Sequence, residues 1–228
     1  MLLAIKNVLS VNQLKVVQKL LASAEFVDGK LSAGKEAEKV KHNTELSQQS
    51  PLHDQLNQMV MSSLVQHPEY QASAFPLKVA TAFYARYTKG MEYGFHVDDP
   101  VMGSMQGSMQ GRYRSDVSTT VFLNDKTDYD GGEIVIKTAI GEQQIKLNAG
   151  DALVYPSSSL HRVNKVTRGE RLVAVTWAQS MVKEAEKRAI LYELGQAREV
   201  LLANQSEANE TSYVSNVYAN LLRRWSDL

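Results

Sequence analysis

The 228-residue sequence contains no cysteine. That absence removes disulfide stapling, thiolate metal sites and a cysteine nucleophile, so any metal has to be held by His, Asp and Glu. Net charge is also missing, since 25 basic residues cancel 25 acidic ones. No global field draws the chain to nucleic acid or to an anionic membrane, and neither is an expected partner. No apolar run reaches the roughly 18 residues that a membrane-spanning helix requires. The first residues, Met1-Leu2-Leu3-Ala4-Ile5-Lys6-Asn7, show no basic stretch before an apolar run and no small-residue cleavage site. A cytoplasmic location is therefore the expectation. Aromatic residues make up only 7% of the chain, and no stripe of them marks a peptide groove.

A hydrophobic fraction of 43% is enough for a real core, because a chain of this length buries roughly 70 to 75% of its unfolded surface. The length suits one large domain, or one domain with a helical annex. Ser10 and Gln13 form a capping box ahead of Leu14, Val17, Leu20 and Leu21, which predicts an amphipathic helix. A polar, lysine-rich stretch over 28–49 follows. Pro51 then opens a second helical pattern through Leu52, Leu56, Met59, Val60 and Leu64, which His67-Pro68 stops.

From residue 77 the period changes. Short β-rich runs at 77–87, 117–123, 133–138, 143–147, 152–155, 161–166 and 171–178 alternate with Gly, Asp and Asn turns, at a spacing that suits a sandwich or barrel. After Ser180 the pattern returns to helix. The predicted fold is α+β, an antiparallel jelly roll with flanking N- and C-terminal helices. Its parts are a mainly helical flank (1–76), the β core (77–180) and a helical extension (181–228). The C-terminal helices fit either a cap on their own barrel or a homodimer contact. The near-repeat at 103–111 reads as a flexible loop, with a lid over substrate as one of its readings.

His96-Val97-Asp98 is the most informative triplet. In an extended segment, residues two apart share a face, so an imidazole and a carboxylate converge. With His161 they make the two-histidine, one-carboxylate facial triad of non-heme Fe(II) oxygenases, which leaves coordination positions open. Arg171 offers a planar fork for a carboxylate beside such a metal. A three-residue loop at 167–169, with Gly169 at positive φ, would pair Lys165 with Arg171 and set His161 and Arg171 on one face. Asp99 should point away from His96. His42, His53 and His67 lack partners at ligand spacing and are assigned no chemistry.

Arg86-Tyr87, Gly90-Met91-x-Tyr93-Gly94-x-His96-x-Asp98, Gly131-Gly132-Glu133, Gly150-Asp151, His161-Arg162-Val163 and 167–171 (Thr-Arg-Gly-Glu-Arg) together resemble the prokaryotic prolyl/lysyl-hydroxylase-like (PKHD-type) dioxygenases. The terminal Asn220-Leu221-Leu222-Arg223-Arg224-Trp225 is similar to the helical tail of that family. The resemblance implies a double-stranded β-helix in which His96, Asp98 and His161 bind Fe(II) and Arg171 binds the distal carboxylate of 2-oxoglutarate. It also implies a co-substrate role for Tyr87 and ascorbate as a helper. O2 would be consumed, and oxidative decarboxylation of 2-oxoglutarate to succinate and CO2 would be coupled to hydroxylation of a small-molecule or peptidyl substrate. Two other readings share the residues: a cupin-like metalloenzyme that uses no keto acid, and a non-catalytic sensor of iron or 2-oxoglutarate. Arg171 separates the first of these from the hydroxylase.

Overall fold

The computed structural model describes residues 1–34, 36–103 and 111–228. The expectation of a lid falls on a segment whose residues 104–110 lie outside that description. Strands in chain order are Leu3–Ile5 (β1), Phe26–Asp28 (β2), Lys41–His42 (β3), Thr44–Leu46 (β4), Pro76–Val79 (β5), Phe83–Thr88 (β6), Glu92–His96 (β7), Val101–Met102 (β8), Tyr113–Arg114 (β9), Val117–Phe122 (β10), Ile134–Thr138 (β11), Gly141–Ile145 (β12), Ala152–Pro156 (β13), His161–Val163 (β14) and Glu170–Ser180 (β15). Helices are Val11–Ala22 (α1), His53–Gln66 (α2), Pro68–Ala74 (α3), Ala185–Asn204 (α4) and Asn209–Trp225 (α5).

The strands form a major sheet in the order β1-β13-β10-β15-β6-β4-β2, with β5 also paired to β15, and a minor sheet in the order β12-β11-β14-β7-β3. All pairings are antiparallel. This is the jelly roll expected from the sequence. The central strands β10 and β15 are rich in Val and Thr, whose branched side chains suit a pleated surface covered on both sides. On the outer face Tyr84, Val121, Leu172 and Ala174 join Leu14, Val17 and Leu21 of α1 and Leu56, Val60 and Leu64 of α2 in one core. On the inner face Phe122, Leu153, Tyr155 and Val173 meet Ile134, Ile136 and Val163 of the minor sheet. The capping box at Ser10 forms as expected, with Gln13 bonded back to the Ser10 backbone.

Two local readings change. The polar stretch over 28–49 supplies strands: β3 joins the minor sheet through Lys41↔Tyr93, and β4, two residues on, joins the major sheet through Glu45↔Ala85. Lys41 and Glu45 therefore span the corner between the sheets, with Lys41 Nζ 2.6 Å from Glu45 Oε1 and 2.8 Å from Ser32 Oγ. Second, β14 and β15 do not form a hairpin. β14 pairs with β11 and β7, whereas β15 opens on the major sheet with Arg171↔Tyr87. Lys165 lies outside both strands and pairs with Glu92 at 3.0 Å instead of facing Arg171. Gly169 does take positive φ (72°), and only glycine fits there, since a Cβ would stand 2.1 Å from the Asp128 carbonyl oxygen. Its turn leads from one sheet to the other.

Helices α4 and α5 pack on each other and on their own chain, with Phe75, Val182 and Leu191 buried against Leu222 and Trp225. Among the described residues no helix is long and apolar enough to cross a membrane.

Candidate functional site

His96 ends β7 and His161 begins β14, and the two occupy directly opposed positions of neighbouring strands. Opposed residues on one face of an antiparallel pair hold their Cβ atoms about 5 Å apart, and here the imidazole centroids are 4.2 Å apart. The chain leaves β7 still extended, so Val97 turns outward and Asp98 turns in, as the alternation predicts. Asp98 Oδ1 lies 4.0 Å from Nε2 of each histidine, and the three donor atoms all fall within 4.8 Å of one another. Asp99 is exposed and outside this cluster.

Neighbouring groups fix each donor. His96 Nδ1 lies 2.8 Å from the Gly94 carbonyl and His161 Nδ1 2.9 Å from the Ser159 carbonyl. Since a carbonyl only accepts, each Nδ1 carries the proton and each Nε2 turns a lone pair inward. Burial, then the facing His161, push the His96 imidazole down to about 4, which keeps it neutral as metal ligation requires. Ser118 donates to Asp98 Oδ2 at 2.5 Å, with Ser157 Oγ 2.7 Å behind it, leaving Oδ1 to face the histidines. Tyr93 stacks on His96 at 3.6 Å and 12°. Two imidazole nitrogens and one carboxylate oxygen are a donor set that suits Fe(II).

The triad opens into a cavity of about 930 Å³, lined also by Tyr87, Thr120, Tyr155, Arg171 and Trp177. Arg171 and Trp177 both lie on β15, six residues and about 20 Å apart, so the cavity runs along that strand. Its inner end is unusual. Arg171 is only 1% exposed, its Nε has no hydrogen-bond partner, and no carboxylate among the described residues comes within 4.0 Å of it. The Tyr129 hydroxyl is likewise buried without a partner. A buried cation without a counter-charge is costly, so this end of the cavity is suited to a ligand carboxylate. Tyr87 forms its wall, with the guanidinium carbon 5.0 Å from the ring centroid. Burial raises the Tyr87 hydroxyl well above the usual phenol range, so it stays protonated as a donor. Gly132 lets Arg171 lie where it does: its φ is 69°, and a Cβ would stand 3.0 Å from Arg171 Cδ and 2.9 Å from the Tyr129 ring.

The structure thus brings His96, Asp98, His161, Arg171 and Tyr87 to one cavity. Tyr93, part of the same motif, lines the cavity and stacks on a triad histidine. Two of the other histidines have local roles: His53 Nε2 lies 3.0 Å from the Ser47 carbonyl, and His67 caps α3 by accepting from the Glu69 backbone N–H. Ser118, Ser157, Tyr129 and Tyr155 carry no signal in the sequence, because nothing in their spacing holds the register that places them.

Residues 82–179 match the 2OG-Fe(II) oxygenase superfamily and residues 186–227 match the PKHD-type hydroxylase C-terminal domain. Over its whole length the chain is 51% identical to a PKHD-type hydroxylase of Thioalkalivibrio sulfidiphilus, also covered in full. The chain belongs to the PKHD-type hydroxylases. A second member, from Acaryochloris marina, is 42% identical with both chains covered in full. This hydroxylase is therefore an Fe(II)- and 2-oxoglutarate-dependent oxygenase. Its fold resembles that of a Pseudomonas putida prolyl-4-hydroxylase (TM-score 0.53, 18% identity, 78% of this chain and 92% of that one). It also resembles HygX from Streptomyces hygroscopicus, solved with nickel, 2-oxoglutarate and hygromycin B (TM-score 0.54, 15% identity, 80% and 84%). At these identities the likeness concerns the fold alone.

Proposed function

We propose that the hydroxylase holds Fe(II) on His96 Nε2, Asp98 Oδ1 and His161 Nε2, and anchors the distal carboxylate of 2-oxoglutarate on Arg171. The observation that carries this assignment is the buried guanidinium without a counter-charge in the same cavity as three converging metal donors. When bound, the metal and co-substrate supply O2 activation, with 2-oxoglutarate lost as succinate and CO2 while the substrate gains a hydroxyl group. The protein's own residues bind and orient. Gly94 and Ser159 carbonyls set the histidine tautomers, Ser118 turns one Asp98 oxygen away from the metal, and Tyr87 donates a hydrogen bond at the Arg171 end. The aliphatic and aromatic inner face, with Val163, Ile134 and Val175 in the wall, excludes water from the reacting centre.

The end away from Arg171, against Phe83 and Trp177 in edge contact at 5.6 Å, is the proposed position of the substrate, a small molecule or a peptidyl side chain. The proposed unit of function is the β core over 77–180 together with the strands that 1–76 adds to both sheets, with 181–228 as a helical extension, acting in the cytoplasm, where a chain without cysteine needs no oxidising compartment to fold. Ascorbate is a proposed helper that keeps the iron ferrous. Succinate release from 2-oxoglutarate under air tests the reading. Wild-type enzyme with Fe(II) should release succinate above the rate of an Asp98→Ala variant, and equal rates would contradict it.

A further inference from the structure

Two hydroxyls reach the triad from the major sheet, and they do different things. Ser118 on β10 and Tyr155 on β13 are directly opposed residues, so their side chains leave the same inner face side by side. Ser118 bonds Asp98 Oδ2, the oxygen turned away from the histidines, and so supports ligation without competing for it. Tyr155 Oη instead lies 3.3 Å from His161 Nε2, the nitrogen that faces the metal donors. The ring is nearly fully buried and meets His161 edge-on at 5.1 Å. A phenol hydroxyl carries its proton near neutral pH and can donate.

The Nδ1 proton of His161 is committed to Ser159, so Nε2 has one lone pair and no proton. That lone pair serves the tyrosine hydroxyl or a metal, but not both. Among the described residues no hydroxyl is hydrogen-bonded to His96 Nε2, whose ring stacks face-on with Tyr93. Once the metal takes Nε2, a buried hydroxyl is left seeking an acceptor, which is costly unless one arrives. Tyr155 lines the cavity together with the triad and Arg171. Two acceptors are then on offer, the neighbouring Thr120 hydroxyl and, once bound, a co-substrate oxygen on the metal side, and the second is the stronger because it carries negative charge.

We propose that Tyr155 is a co-substrate-binding residue whose hydroxyl is released from His161 by metal binding and passes to a carboxylate or keto oxygen of 2-oxoglutarate. This rests on the assignment of the triad and Arg171 given above. One hydroxyl thereby opposes metal binding and favours co-substrate binding, so that the two events are energetically coupled.

The test is Tyr155→Phe, which removes one oxygen and keeps the ring. Metal affinity is read anaerobically by Fe(II) titration, with Mn(II) as a redox-inert second probe. Affinity for 2-oxoglutarate on the Fe(II)-loaded protein is read from its visible charge-transfer band. The two constants should move in opposite directions, each by about two- to tenfold, the size of one hydrogen bond: metal tighter, 2-oxoglutarate weaker, with the band shifted. Ser118→Ala serves as the contrast, because it should weaken metal binding. A Tyr155→Phe protein with both constants unchanged, or with both weakened together, overturns the proposal while leaving the site assignment intact if the wild type gives the band. A wild type that binds metal but shows no band removes the site assignment, and the proposal with it.

Discussion

His96 and His161 stand directly opposite each other on adjacent antiparallel strands, so the hydrogen-bonded register of β7 and β14 itself sets the separation of two metal donors. Such a pair needs no loop to hold it. Asp98 completes the set from the extended residues that follow β7. Loss of either histidine should lower metal affinity by more than about 100-fold, beyond the 10- to 100-fold typical of residues that only support a ligand. Equilibrium titration of His96→Ala with Fe(II) checks this. Asp99→Asn, outside the cluster, should stay within about threefold of wild type, a change near the few tenths of a kcal/mol typical of surface substitutions.

Ser118 should behave as a ligand support. Ser118→Ala frees Asp98 Oδ2, and the expected loss of metal affinity is about 10- to 100-fold with little change in Tm. A variant that binds Fe(II) as tightly as wild type would show that Asp98 needs no such anchor.

Arg171 carries a conflict between stability and binding. Its guanidinium is buried without a counter-charge, so Arg171→Met, similar in length and apolar, should stabilise the fold by about 1 to 4 kcal/mol. That corresponds to a rise in Tm of at least about 2 °C. The same variant should bind 2-oxoglutarate about 100-fold more weakly, through loss of a charge-assisted bidentate contact, while Fe(II) affinity is retained. Calorimetry and a 2-oxoglutarate titration read the two effects. A fall in Tm would mean that the guanidinium is satisfied within the fold.

The Lys41–Glu45 pair ties the sheets together at a corner, with both side chains more than nine-tenths covered. Lys41→Met alone should destabilise by about 3 to 5 kcal/mol because it strands a buried carboxylate, whereas Lys41→Met with Glu45→Leu should be close to neutral. Urea unfolding of the single and double variants gives the comparison. A double variant as unstable as the single one would show that the pair does more than neutralise itself.

The parts of this site that were readable in the sequence are those governed by local period. Alternation along an extended segment put His96 and Asp98 on one side of the chain, and it holds. Gly169 at positive φ was also readable, but the register drawn from it was not. Arg171 meets the triad across the barrel, from a different sheet, because β15 pairs with β6 and not with β14. Strands of two or three residues such as β3, β4 and β14 are too short to show a period, so 28–49 reads only as a polar, lysine-rich stretch and nothing in it marks Lys41 and Glu45 as a buried pair. Ser118, Tyr155 and Tyr129 sit in β-rich or turn segments where hydroxyl residues are common. Only the pairing of β10 with β13, and the facing of one sheet by the other, gives Ser118 and Tyr155 their partners.

The most direct measurement is an anaerobic titration of 2-oxoglutarate into the Fe(II)-loaded protein, followed through the visible charge-transfer band that a chelated keto acid produces. The band should appear in wild type, be absent in His96→Ala, and need far more 2-oxoglutarate to form in Arg171→Met. A wild-type protein that binds Fe(II) yet gives no band at saturating 2-oxoglutarate would contradict the assignment of this cavity as the co-substrate site.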